Sequence, residues 1–171
     1  MKSIILIRHA KSSPDLSKPD INRSLNERGH RDAPMMAKRL VDKKIKIDAF
    51  ISSPAVRALS TAEYFFKAYH QNTKSNSIIK IPALYHASPT VYFDVINNLN
   101  EKFTTIALFA HNPGITDFVN QLTSARIDNM PTCGIFAVKV KAEKWSEFQE
   151  AEKEFWFFDY PKLIDSLPFT L

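Results

Sequence analysis

Two arginines and two histidines stand where apolar runs of this sequence stop. Arg8 and His9 follow "SIILI" (residues 3–7), Arg57 lies just past "AFISS" (49–53), and His111 follows "TTIALFA" (104–110). A guanidinium can hold two oxygens of a phosphoryl group in a fork. Two such groups with two imidazoles around one point would suit a dianionic phosphoryl group, and no carboxylate occupies these three run ends.

The elements that must position them can be read from pattern. The three apolar runs are short and flanked by polar residues, as buried strands are. Residues 77–81 ("SIIKI") read as a further strand between the second and the last of them. Helical spacing runs through residues 26–43, with Met35, Met36, Leu40 and Val41 as its apolar positions and Pro34 read in the first turns. Residues 54–70 form the next helix, with Ser53 suited to the N-cap and Pro54 to the first position. Residues 88–99 make a third, whose Val91, Val95 and Leu99 keep a four-residue step, and a fourth starts at Pro113 with Asn112 at its cap. "GIFAVKVK" (134–141) and "EFWFFDY" (154–160) read as late strands. The aromatic residues of "EFWFFDY" are expected to pack in the core.

Strand and helix alternate, so the expected fold is α/β: a single domain over residues 1–171, with a mostly parallel central sheet, helices on both faces and an antiparallel edge strand near the C-terminus. In such sheets ligands gather outside the carboxyl ends of the strands. If the strands before His9, Arg57 and His111 are parallel, all four side chains meet at one rim. Helices starting near Pro54 and Pro113 would add partial positive charge there. Neighbouring strand side chains point to opposite faces. Arg8 and His9 can therefore share one anion only if the chain bends there, which "RHAKSSPDLSKPD", with two prolines, allows.

Composition narrows the class. A chain of 171 residues with 44% hydrophobic and 24% charged residues is an ordinary globule. The net charge of +5 mildly favours anionic partners, but no basic stripe or known module points to nucleic acid. One cysteine, Cys133, excludes an internal disulfide and suits a reducing, cytoplasmic setting as a small buried residue. No apolar run reaches the length of a signal-peptide core or a membrane span. His30 and His70 read as helix surface residues, and His86 lacks partners of compatible role.

The motifs together resemble the histidine phosphatase superfamily, whose fold is phosphoglycerate-mutase-like. "RHAKS", "SSPAVRALSTAE", "AHNPG" and "NRSLNERG" carry the likeness, from residue 4 to about residue 122. Within the superfamily the short chain, "LNERGHRDAP" and "HNPG" look most like the SixA-type phosphohistidine phosphatases. The resemblance implies that His9 is the nucleophile of a covalent phosphohistidine intermediate. It implies that Arg8 and Arg57 bind phosphoryl oxygens while His111 hydrogen-bonds them. Ser12 and Asn112 fall at positions that can assist binding, Asn112 having a helix cap as its alternative role. Neither a metal nor a cofactor is expected: phosphoryl transfer asks chiefly for positioning and positive charge, and two histidines without nearby carboxylate or thiol ligands make a poor metal site.

Two departures matter. "RHA" replaces "RHG", which is tolerable if Ala10 keeps a negative φ. The segment after the third strand, "PALYHASPTVYFDVINNLNEK", has no Glu before Glu101, where many relatives have a general acid. Asp15, His86 and Asp94 are the candidate substitutes. Such an acid supplies about 10²- to 10⁴-fold in rate, so its absence disfavours alkyl phosphate esters and suits phosphohistidine, whose leaving imidazole can carry its own proton. The short segment also leaves little chain for a lid, so a phosphorylated protein could reach the site. The expected activity is hydrolysis of phosphohistidine on a signalling protein. A small-molecule phosphomonoesterase or phosphoglycerate-type mutase stays open, as does a non-catalytic phosphate-binding module.

Overall fold

Ile4, Ile5, Leu6 and Ile7 are all fully buried, because strand β1 (Lys2–Arg8) runs inside the sheet with helices on both sides. Such a strand has no solvent face, hence the unbroken apolar run; each of these side chains contributes about 1.5–3 kcal/mol by burial. The computed structural model describes residues 1–71 and 77–163. Within them, β1, β2 (Ala49–Ser52), β3 (Ile78–Lys80), β4 (Thr105–Ala110), β5 (Ile135–Val140) and β6 (Lys153–Asp159) form one sheet in the order β3-β2-β4-β1-β5-β6. The first four are mutually parallel; β5 is antiparallel to β1, and β6 to β5. The α/β class, the mostly parallel sheet and the antiparallel C-terminal edge are as the sequence pattern implies.

The faces of the sheet carry separate cores. Ile4 and Leu6 pack with Tyr92 and Ile96 of helix α3 (Pro89–Asn97) and Phe118 of α4 (Gly114–Val119). Ile5 and Ile7 pack with Met36 and Leu40 of α1 (Glu27–Asp42) and Phe65 of α2 (Val56–Tyr69). That odd–even division of β1 follows from the two-residue repeat of a strand.

Several local expectations need correction. Pro34 lies at the eighth position of α1, beyond its first turns. The helix continues because Pro34 and His30 are both exposed, so the carbonyl deprived of its amide partner faces water. Met35 is likewise exposed, and the apolar stripe is Ala33, Met36, Ala37 and Leu40. In α3 the fully buried pair is Tyr92 and Ile96, one residue on from the expected Val91 and Val95, which pack at its margin. Helix α2 starts at Val56 with Ala55 at its N-cap, so Ser53 and Pro54 precede the cap. Helix α4 is six residues long with Pro113 at the cap position, and Asn112 does not cap it. As the outermost strand, β6 is covered on one edge only: Trp156, Phe157 and Phe158 are half-buried and Phe155 is exposed.

Candidate active site

β2, β4 and β1 are adjacent and parallel, so their carboxyl ends open on one rim. A cavity of about 280 Å³ lies there, lined by Arg8, His9, Lys11, Ser12, Asp20, Arg23, Arg57, His86, His111, Asn112 and Thr132. Arg8, His9, Arg57 and His111, together with Ser12 and Asn112 that the resemblance added, are all among them.

β1 ends at Arg8, and Arg8 and His9 both line the cavity, as the shared-anion argument requires. The His9 amide donates to the Ala110 carbonyl (3.1 Å), and the Cys133 amide meets the Arg8 and His9 carbonyls (3.1 Å each). Ala10 does not have positive φ, which is why Ala suffices in "RHA". Its amide donates to Thr61 Oγ1 (2.9 Å), and the Thr61 hydroxyl donates to the Arg57 carbonyl (2.8 Å). Arg57 and Thr61 are one turn apart on α2, on the same face. The Arg-x-x-x-Thr spacing therefore has a physical basis: one residue enters the cavity and the other anchors the chain leaving His9.

Close backbone approach explains two glycines. A Cβ at Gly29 would lie 2.1 Å from the Lys11 carbonyl oxygen, and one at Gly114 would lie 1.9 Å from that of Ala87. Gly29 lets α1 rest on the loop after His9. Gly114 lets the start of α4 touch the loop carrying His86.

His9 is 8% exposed, and its Nδ1 lies 2.7 Å from the Ala10 carbonyl oxygen. A carbonyl can only accept, so Nδ1 carries the proton and Nε2 keeps its lone pair. Burial, chiefly, pushes the His9 pKa down to about 3. The Ala10 bond opposes this, and Arg8, Arg57 and Arg23 add to it. His111 is pushed down to about 3 by burial first, then by His9 and Arg57. The two rings lie 5.2 Å apart. His111 Nε2 is 2.7 Å from Ser53 Oγ, which also accepts from the Ala55 amide (3.2 Å). With the Ser53 hydroxyl donating to Nε2, His111 presents an Nδ1–H donor. Among the described residues, Arg8 Nε, Arg57 Nε and His111 Nδ1 are buried without a partner. All three belong to residues that line the cavity, and an unpaired buried polar atom calls for a partner; the Tyr69 and Tyr92 hydroxyls are unpaired too.

A carboxylate does reach the rim, from a loop and not from any of the three run ends. Asp20, in a short 3₁₀ turn (Asp20–Asn22), accepts at Oδ2 from Arg57 Nη2 (3.0 Å) and from the Tyr85 hydroxyl (2.5 Å). Its Oδ1 accepts from Arg23 Nε (3.0 Å), and its main-chain carbonyl from Arg57 Nη1 (2.7 Å). The Tyr85 hydrogen bond first, then those from Arg57 and Arg23, hold this carboxyl well below the usual range. Asp20, Arg23 and Tyr85 were not picked from the sequence. Arg23 lies inside the quoted "NRSLNERG", and its i,i+3 spacing from Asp20 was the available signal.

His86 also belongs to the rim, contrary to its apparent isolation in sequence. It has a φ of 57°, its ring sits 3.9 Å from that of Tyr85, and Nε2 is 3.8 Å from Asp20 Oδ2. Asp15 bonds Ser17 and Asp94 lies on α3; neither lines the cavity. The Ser12 hydroxyl donates to the Ser24 carbonyl (2.8 Å). Asn112 Oδ1 accepts from Thr116 Oγ1 (2.6 Å), and its Nδ2 donates to Asn129 Oδ1 (2.7 Å) and the Met130 carbonyl (3.1 Å). Both residues therefore brace loops at the cavity wall. His30 pairs with Tyr64 (2.8 Å), and His70 forms the C-cap of α2. No group of three or more His, Cys, Asp or Glu among the described residues could hold a metal ion.

Residues 4–78 match the family described as histidine phosphatase superfamily (branch 1), and the chain resembles that superfamily in sequence motifs and in architecture. An uncharacterized protein of Mycobacterium leprae is 27% identical over 174 residues, 91% of this chain and all of that one. The Agrobacterium tumefaciens protein assigned as a phosphohistidine phosphatase SixA superposes with a TM-score of 0.77 at 22% identity, covering 94% of this chain and 98% of the other. A protein histidine phosphatase SixA complexed with tungstate gives 0.78 at 21% identity, covering 93% and 97%. The fold is that of the SixA proteins. No helix of the described residues is long and apolar enough to cross a membrane.

Proposed function

We propose that this protein is a metal-independent phosphatase whose 171 residues form one catalytic domain, acting through a phosphohistidine at His9 on phosphohistidine-bearing proteins. The observation that carries the reading is the His9 ring: Nδ1 is tied to the Ala10 carbonyl, so Nε2 is the nucleophilic atom, in a cavity with Arg8, Arg57 and His111. The Nε2 lone pair forms a bond to phosphorus while the bond to the leaving group breaks and takes its electron pair with it. Arg8, Arg57 and His111 donate to the phosphoryl oxygens as charge develops. Water then attacks phosphorus, the P–N bond breaks, and the water's proton is released as neutral His9 re-forms.

Proton supply bears on substrate class. Asp20 is held in its charged form, so it is no proton donor to a leaving alkoxide; His86, the one earlier candidate acid that lines the cavity, is the group that would have to serve one. Phosphohistidine and aryl phosphates leave without that help. The buried Cys133 suits a cytoplasmic setting.

Purified protein tested in parallel on phosphohistidine protein, aryl phosphate and phosphoglycerate decides the class. Turnover of the first two is expected. Vigorous mutase activity on phosphoglycerate with none on phosphohistidine would overturn the substrate class. A wild type inert on every phosphorylated compound, yet binding vanadate, would mark a binding module instead.

A further inference from the structure

Beside the candidate active site lies a groove of about 300 Å³. Arg8, Lys11 and Thr132 line both cavities, and the groove continues past Arg28 and Tyr160 to Lys162. Among the described residues, four cations and no carboxylate line it. Arg28 pairs with Asp32, which is buried and sits 3.3 Å from its Nε. That carboxylate partly offsets Arg28, and among the described residues Lys11 and Lys162 have no ion pair. Both lysines are exposed, and Arg28 is half-buried. Long cationic chains of this kind adapt to carboxylates at varied spacing, and complementary charge of this sort fixes which partner docks. Asn129, Thr132 and Tyr160 supply the other polar groups of this open groove.

We infer that this groove receives acidic side chains flanking the phosphorylated residue of a protein substrate. The inference rests on the proposed protein-phosphatase role and names what part of such a substrate is read. Because Arg8 and Lys11 belong to both cavities, a phosphoryl group in one places neighbouring carboxylates at the mouth of the other.

The test uses binding, so that it stands apart from catalysis. Fluorescence anisotropy on the His9→Ala protein compares two labelled phosphotyrosine peptides, one flanked by glutamates and one by glutamines. The acidic peptide is expected to bind about fivefold more tightly at low salt, the scale of one or two exposed charge pairs, with the margin shrinking as salt rises. Arg28→Gln/Lys162→Gln should erase the margin and leave the neutral peptide unaffected. Lys162→Glu alone, outside every helix and strand, should at least halve it and guards against misfolding around Asp32. Equal binding of the two peptides, or a margin that survives in both variants, would overturn the inference. An inert wild type would defeat the proposed activity and leave this preference readable.

Discussion

Arg57 and Asp20 are held to one another twice: Nη2 donates to the Asp20 carboxylate (3.0 Å) and Nη1 to its main-chain carbonyl (2.7 Å). The guanidinium is 4% exposed and the carboxylate 45%, so the pair joins a cation of the cavity to an anion at its mouth. This carboxylate aims Arg57, and it also repels an incoming dianion. Asp20→Asn keeps the main-chain contact and removes the charge. It should tighten vanadate binding severalfold and lower kcat by about tenfold, a loss within the range of positioning effects. Titration and steady-state kinetics check both. Weaker vanadate binding would show that aiming outweighs repulsion.

Stability should fall on mild acidification. His9 and His111 have folded pKa values pushed down to about 3, below the ordinary 6.5, so the unfolded chain takes up protons first. Their contribution is complete above about pH 6.5 and is lost as pH falls toward 3, at up to about 1.4 kcal/mol per pH unit for each ring. Urea midpoints between pH 7 and 4.5 measure it, and His9→Gln/His111→Gln should flatten the slope. The same shifts predict that neither ring protonates between pH 8 and 5, so the rate has no acid limb from them there. An acid limb near pH 6.5 that disappears in His111→Gln would contradict this.

Thr61→Val keeps the shape of a buried side chain and removes the acceptor for the Ala10 amide. An unpaired buried donor costs about 1–3 kcal/mol, and the chain beyond His9 loses its tie to α2. Lower thermal stability and lower kcat are expected together, with Thr61→Ser restoring both. Full activity in the valine variant would separate the Arg-x-x-x-Thr spacing from nucleophile placement.

Gly114→Ala places a methyl group 1.9 Å from the Ala87 carbonyl oxygen, a clash with backbone that no rotamer relieves. A loss of about 1–3 kcal/mol is expected, with displacement of the His86 and His111 loops visible as imidazole NMR shifts. Unchanged shifts and an unchanged melting temperature would refute that packing account.

The α/β sheet was legible because β1, β2 and β4 each hold an apolar run, as a strand buried on both faces does. Arg8, His9, Arg57 and His111 were legible because each follows such a run within a few residues, where parallel pairing brings them together. Asp20, Tyr85 and His86 were not, since they lie on loops whose course depends on contacts far along the chain. The 65-residue separation of Asp20 from Tyr85 leaves no local pattern. Helix starts were misjudged for a related reason. Ser53 does accept from the Ala55 amide two residues on, but its own proton goes to His111 and the helix starts only after Ala55. Tertiary demand displaced local propensity there.

Everything in the catalytic reading depends on which atom of which ring receives phosphorus. Stopped-turnover samples of ¹⁵N-histidine-labelled protein, kept alkaline to preserve a P–N bond and followed by ³¹P–¹⁵N correlation NMR, read that atom directly. Phosphorus coupled to Nε2 of His9, and no such signal in His9→Ala, is the predicted result. Phosphorus on Nδ1, on another residue, or on no residue while substrate is consumed would contradict it.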